Sequence, residues 1–177
     1  MAYCISKTLV GIPVDCSTSL GGISKIYIAD FADDIFTLDA SGNQITNVSS
    51  AATWYEFNFR QQTGNFTSTL NKGDNGAVYV ETDIVAVFNR METAKRLEMN
   101  ALALNDMAVV VVDNNNLWWG FGVNRPVVSS AGTGETGSAF GDRNAYEITL
   151  HSVDGNFAPE LTAEAIAALK GKIYSGS

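Results

Sequence analysis

Residues 130–144 read "SAGTGETGSAFGDRN", and Gly132, Gly134 and Gly137 within them spell G-x-G-x-x-G, the phosphate-cradling fingerprint of dinucleotide-binding proteins. The fingerprint works only between a strand and a helix, because the helix N-terminus supplies the N–H groups and the dipole that hold a pyrophosphate. Residues 126–130 read as a short strand upstream. Downstream, seven residues (138–144) separate Gly137 from "AYEITLHSV", where Tyr146, Ile148 and Leu150 alternate with Glu147, Thr149 and His151. That is strand periodicity, and a crossover helix of a dozen residues does not fit the gap. Asp154 stands about 20 residues beyond the first glycine, where an acidic ribose ligand belongs, but without the helix the match is empty. The expected structure is a Gly/Ser/Thr loop joining two strands.

The neighbouring sequence is read in the same β register. "ISKIYIA" places Ile26 and Ile28 on one face, and "IFTLDASGNQITNV" is a hairpin turning at residues 40–43. "WYEFNF" alternates Tyr55, Phe57 and Phe59 against Glu56 and Asn58. A polar-faced hairpin then spans about residues 60–80, with Asn75-Gly76 supplying the positive φ of a type I′ turn. "MAVVVVD" is apolar on both faces, as a fully covered strand is. Residues 113–116 turn the chain into "LWWGFGV", where Trp118 and Trp119 point to opposite faces. One fills the core under the helix; the other needs a second sheet or a neighbouring subunit as cover.

A helix is predicted over about 89–105. Asn89 with Glu92 at N3 makes a capping box, and Glu92–Arg96 makes an i,i+4 pair. Met91, Ala94, Leu97, Ala101 and Leu104 form the stripe expected to be buried. A short C-terminal helix is signalled by Pro159, a Thr162 cap and Gly171. The expected fold is mainly β (α+β): an antiparallel β-sandwich or small barrel with one packed α-helix and a short C-terminal helix. Its parts are an N-terminal arm (1–20), a core (21–160) and a terminal helix with tail (161–177).

At 177 residues the chain fits one domain, with 46% apolar and only 17% charged residues, against about 25% charged in average proteins. Surface that charge does not cover points to partners. The net charge of −8, with no basic run, argues against a nucleic-acid-binding face. Asp30, Asp33, Asp34 and Asp39 crowd ten residues, but their spacing matches no calcium loop. Cys4 and Cys16 are expected to be free thiols. The opening residues "MAYCISKTLVGIPVD" lack the apolar core of a signal peptide, so folding in a cytosol is the expectation. His151 is the single histidine, on a polar strand face, and no nucleophile motif, zinc spacing or selected carboxylate pair accompanies it. No enzyme activity, cofactor or metal is expected.

Across residues 53–155 the order of these elements resembles small structural proteins of tailed bacteriophages, of the tail-tube type and the related head–tail ring proteins, including those of crAss-like phages. The resemblance is carried by the strand–helix–apolar strand unit, the Asp/Asn turn into a Trp/Gly strand, and the loop 131–139 followed by Asp142, Asn144 and Tyr146. Ala145 stands where such proteins usually have glycine. The resemblance implies a β-sandwich that joins through sheet edges into a ring, usually a hexamer, with rings stacked through an extended hairpin and terminal arms. It implies a virion protein assembled in the host cytoplasm, with other tail or head–tail connector proteins and passing DNA as partners and no membrane. An acidic lumen suits that role, since it repels phosphates. Phe66, Leu70, Lys72, Asn75, Trp118 and Trp119 are the expected subunit contacts, Phe66 and Leu70 as an isolated apolar pair on the hairpin. A capsid decoration protein and a carbohydrate-binding adhesin are the alternatives.

Overall fold

The computed structural model describes residues 10–58 and 60–176, so the Cys4 and Phe59 expectations lie outside the described residues. Among the described residues, eleven strands and two helices follow the order β1 (Ile23–Asp30), β2 (Phe36–Leu38), β3 (Gln44–Val48), β4 (Tyr55–Asn58), β5 (Gly64–Lys72), β6 (Val78–Asn89), α1 (Thr93–Leu104), β7 (Met107–Asp113), β8 (Trp118–Phe121), β9 (Val128–Glu135), β10 (Ala145–Asp154), β11 (Glu160–Leu161) and α2 (Ala163–Lys170). They build a seven-stranded sheet, β2-β3-β11-β8-β7-β1-β4, and a four-stranded sheet, β5-β6-β10-β9. The sheets face each other without closing, so of the two expected architectures the sandwich is the one adopted. One pairing departs from the antiparallel rule: β11 runs parallel to β3 and antiparallel to β8.

Two cores follow from the alternation of side chains along β1 and β7. Ile26, Ile28, Val109 and Val111 point between the sheets, where they meet Ile84, Ile148 and Leu150. Tyr27, Ala29, Val110 and Val112 point the other way, onto Trp54, Trp118 and the Ala165 and Leu169 face of α2. β7 is apolar from Met107 to Val112 and covered on both faces along that run, as its sequence requires. The tryptophans also separate as expected. Trp118 stacks on Tyr27 at 5.1 Å beneath α2, with the Lys170 ammonium 5.4 Å from its ring, and Trp119 turns to the inter-sheet side. Thr162 caps α2 by accepting from the Ala165 N–H at 3.4 Å, and Gly171 ends it.

The first helix is shorter than its pattern and turned by a different anchor. Asn89 belongs to β6, and Glu92 occupies the N-cap position without a side-chain cap bond. The chain kinks at Arg90, with φ +65°, and is held from across the fold: the Arg90 N–H donates to the Asn144 carbonyl and the Met91 N–H to its side-chain oxygen, at 2.7 and 2.9 Å. Lys95 reaches back, donating to the Asn89 carbonyl at 2.6 Å and pairing with Glu92 at 3.0 Å, in place of the expected Glu92–Arg96 pair. This rotation buries Leu102 and half-buries Lys95 and Met99, while Leu97 and Leu104 stand 56% and 86% exposed. The expected stripe is therefore not the buried face of the helix. Leu102→Ala should cost about 2–4 kcal/mol, and Leu97→Ala under about 0.5 kcal/mol, in urea denaturation. Equal losses would put the buried face elsewhere.

Candidate assembly surface

The glycine stretch is strand, not loop. β9 runs through Gly132 and Gly134 and pairs with β10 along its length. Both glycines face α1: a Cβ on Gly132 would lie 3.7 Å from the Met99 methyl, and one on Gly134 would lie 2.9 Å from the Tyr146 ring and 3.2 Å from the Met91 methyl. The G-x-G spacing is a strand period of two, and at Gly134 the missing side chain lets the Tyr146 ring and Met91, just ahead of α1, lie close to the backbone. Gly137, at φ +65°, makes the turn, and a Cβ there would sit 2.1 Å from that of Asp142. The Asp142 carboxylate accepts the Ser138 and Ala139 N–H groups, each at 2.7 Å. Backbone donors of the kind that cradle a phosphate are thus taken by an anion of the chain itself, and β10, not a helix, follows.

These two bonds, the Ala139 one foremost, hold the Asp142 carboxyl below its ordinary value of 3.8. A carboxyl lowered on folding stabilises the loop above the ordinary value and loses that contribution as pH falls through the lower, folded one. The Ser138 and Ala139 amide resonances should therefore hold steady down to about pH 4 and move only below it. A midpoint above the ordinary aspartate value would contradict the bonding.

The remaining expected site residues separate. Phe66 is half-buried between the sheets, edge-on to Phe121 at 5.4 Å, so it is a core residue and not a free contact. Trp118 is likewise buried within the chain; Trp119 is half-buried against the inter-sheet core, and its indole N–H donates to Asp113 at 3.2 Å. The reason is common to all three: the second sheet and α2 supply cover that local spacing does not reveal. Asn75 holds its own turn, accepting the Ala77 N–H at 3.1 Å. That turn closes through Gly76 N–H to the Gly73 carbonyl, and Gly76 has φ +82° while Asn75 does not share the positive φ of a type I′ turn. Leu70 and Lys72 do lie exposed near the tip, where the hairpin overhangs the core. The overhanging apolar pair is Leu70 with Val78, 55% and 50% exposed on one face, while Tyr79 stands on the opposite face beside Asn71.

The outer face of the four-stranded sheet carries most of its polar side chains, with Val85, Val87 and Val153 interspersed. Asn71, Glu81, Asp83, Glu135, Glu147, Thr149 and His151 stand on it, opposite the buried Ile84, Ile148 and Leu150. Their side chains are cross-linked. Asn71 donates to Glu81 at 2.8 Å, His151 Nδ1 lies 2.8 Å from Asp83 Oδ1, and Arg143 bridges Glu135 and Glu147. Four carboxylates against one arginine and one histidine leave the face acidic. Among the described residues the long outer strands β5 and β9 each pair on one side only, so both edges of this sheet are open. Edges of that length invite pairing with another chain.

Elsewhere, Asp39 organises the β2–β3 turn by accepting from Ser41, Asn43 and Gln44. Among the described residues no three His, Cys, Asp or Glu side chains are grouped as a metal ion requires, and no helix is long and apolar enough to cross a membrane. Comparisons with protein-family models, with curated proteins and with solved structures return no match for this chain.

Proposed function

We propose that this chain is a virion structural protein of the tail-tube or head–tail ring type, assembling with copies of itself around a channel for DNA. The observation that carries the reading is the four-stranded sheet with two open edges. Alternation through β5-β6-β10-β9 sets β9 antiparallel to β5, so β9 of one copy set beside β5 of the next continues the antiparallel order without a break. Such a joint is heterologous, and repeated with a closing rotation it makes a ring. Its uncovered acidic face then lines the interior, where carboxylates repel passing phosphates. Leu70 and Val78, half exposed on the overhanging part of the hairpin, would contact a stacked ring, and burying what remains exposed of each would stabilise the stack by about 1 kcal/mol.

Sedimentation velocity and negative-stain microscopy of the purified protein, across concentration and salt, test this reading. Rings or tubes are the expected result. Discrete monomers under every condition would overturn it and move the adhesin reading ahead; particles that bind only preformed capsids would favour decoration.

A further inference from the structure

We propose that the hollow between the β2–β3 turn, the β8–β9 connection and the β10–β11 connection binds a neutral polyhydroxyl ligand, a sugar, through a single ring. This stands apart from the assembly reading, since neither outer strand β5 nor β9 lines the hollow. The elements around it come from both sheets: β2, β3 and β8 belong to the seven-stranded one and β10 to the four-stranded one. Loops gathered at one end of a sandwich are where a rigid fold can carry a recognition site. The volume of about 280 Å³ lies at the small end of ligand pockets, ~300–1,000 Å³, which limits how much of a ligand is enclosed.

Asn43, Asn124, Asp154 and Asn156 supply its polar lining. The Asp154 carboxylate is held through one oxygen only: Oδ1 accepts from Asn124 Nδ2 at 2.9 Å and from the Gly155 N–H at 2.7 Å. Asn43 is fixed too, its backbone N–H donating to Asp39 at 2.7 Å and its Nδ2 to Ser41 at 2.9 Å. These bonds occupy the amide nitrogens. Among the described residues, Asp154 Oδ2 and the side-chain oxygens of Asn43 and Asn124 accept no hydrogen bond. Acceptors that the chain orients but does not satisfy call for a ligand rich in O–H donors.

Charge narrows the class. Asp154 is the one ionisable side chain lining the hollow, and no Lys, Arg or His lines it, so an anion is repelled. A divalent cation would find a single carboxylate there, half of it already doubly bonded, where a hard cation takes six to eight oxygens. The apolar part of the lining selects further. Phe157, three residues past Asp154, lines the hollow and is yet 57% exposed. A sugar carries hydroxyls around its edge and C–H groups on its face. Its hydroxyls suit the carboxylate and amide oxygens, and its C–H face suits the electron-rich face of an uncovered phenyl ring.

Saturation-transfer difference NMR of the full chain, titrated separately with glucose, galactose, mannose and N-acetylglucosamine, tests this. Saturable transfer to at least one of these sugars is expected. Asp154→Asn keeps the side chain's shape but turns the free acceptor into a donor, so the affinity for that sugar should fall about 10- to 100-fold. Phe157→Ala should weaken it about 2- to 10-fold. Asp83→Asn, the same charge change on the outer face of the four-stranded sheet, should leave it unchanged. All three positions lie outside the core, and circular dichroism should match the parent; if Asp154→Asn alone departs from it, Phe157→Ala decides. Saturation by none of the sugars overturns the inference, as does an affinity that neither Asp154→Asn nor Phe157→Ala lowers. Transfer that appears only with added calcium and vanishes on chelation also overturns it, because the acceptors would then hold a metal and not the sugar directly.

Discussion

Trp54→Ala should lower stability by about 3–5 kcal/mol, a large share of the 5–15 kcal/mol that holds an ordinary domain. Trp54 is fully buried, its ring 5.8 Å from that of Phe36 in the core beneath α2. Its backbone joins the seven-stranded sheet to the chain's end, donating to the Lys172 carbonyl at 3.0 Å and accepting from the Tyr174 N–H at 2.8 Å. Alanine keeps those backbone bonds but leaves a cavity the size of an indole. Trp54→Phe makes an informative partner, because the indole Nε1 is buried without a hydrogen-bond acceptor among the described residues. An unmet buried donor costs about 1–3 kcal/mol, so removing it offsets part of the lost packing, and the phenylalanine variant should fall by less than about 1.5 kcal/mol. Chemical denaturation followed by circular dichroism measures both. If the two variants lose equally, the indole N–H has an acceptor.

The largest functional effect is expected at the open edge of β5. Successive residues of an edge strand direct their N–H groups alternately toward the neighbour and outward, so of Thr67 and Ser68 one donates to β6 and the other faces the open side. Proline at the inward position removes a ladder bond and should destabilise the monomer by about 1–3 kcal/mol. Proline at the outward position should leave the monomer folded and remove a donor from the joint with β9 of the next copy. With a loss of about 3 kcal/mol per joint, assembly should require on the order of 100-fold higher protein concentration. Thermal melts identify which variant keeps its fold; sedimentation velocity then measures its assembly. A fold-retaining variant that assembles like the parent would show that β5 is not the joint. The test leaves Phe66 in place. Deleting the hairpin from residue 64 onward would not, and would open the inter-sheet core along with any contact at the tip.

Much of the fold was legible in local pattern. Ile26 and Ile28 against Tyr27 and Ala29, the six apolar residues of β7 from Met107 to Val112, the opposed Trp118 and Trp119, and the Thr162-to-Gly171 helix are all set by which faces are apolar and which residues cap. These are short-range constraints, and a period of two or a capping oxygen acts within a few residues. The absence of a helix after Gly137 was equally a matter of counting, because seven residues cannot make a crossover.

What the tertiary structure alone decided is which face meets what. The α1 stripe is misread from sequence because Asn144, 53 residues from Met91, sets the entry of the helix and so its rotation. Met99 and Leu102 then face inward while Leu97 faces water. Phe66 reads as exposed until Phe121 arrives from another strand to cover it. Gly132 and Gly134 read as loop until β9 pairs with β10, where a side chain on Gly134 would crowd Tyr146 and Met91. Periodicity reports that a face is apolar or narrow. Only the long-range arrangement of sheets and helices supplies the surface that covers it, and what stays uncovered, the edges of β5, β9 and β4, is visible only once that arrangement exists.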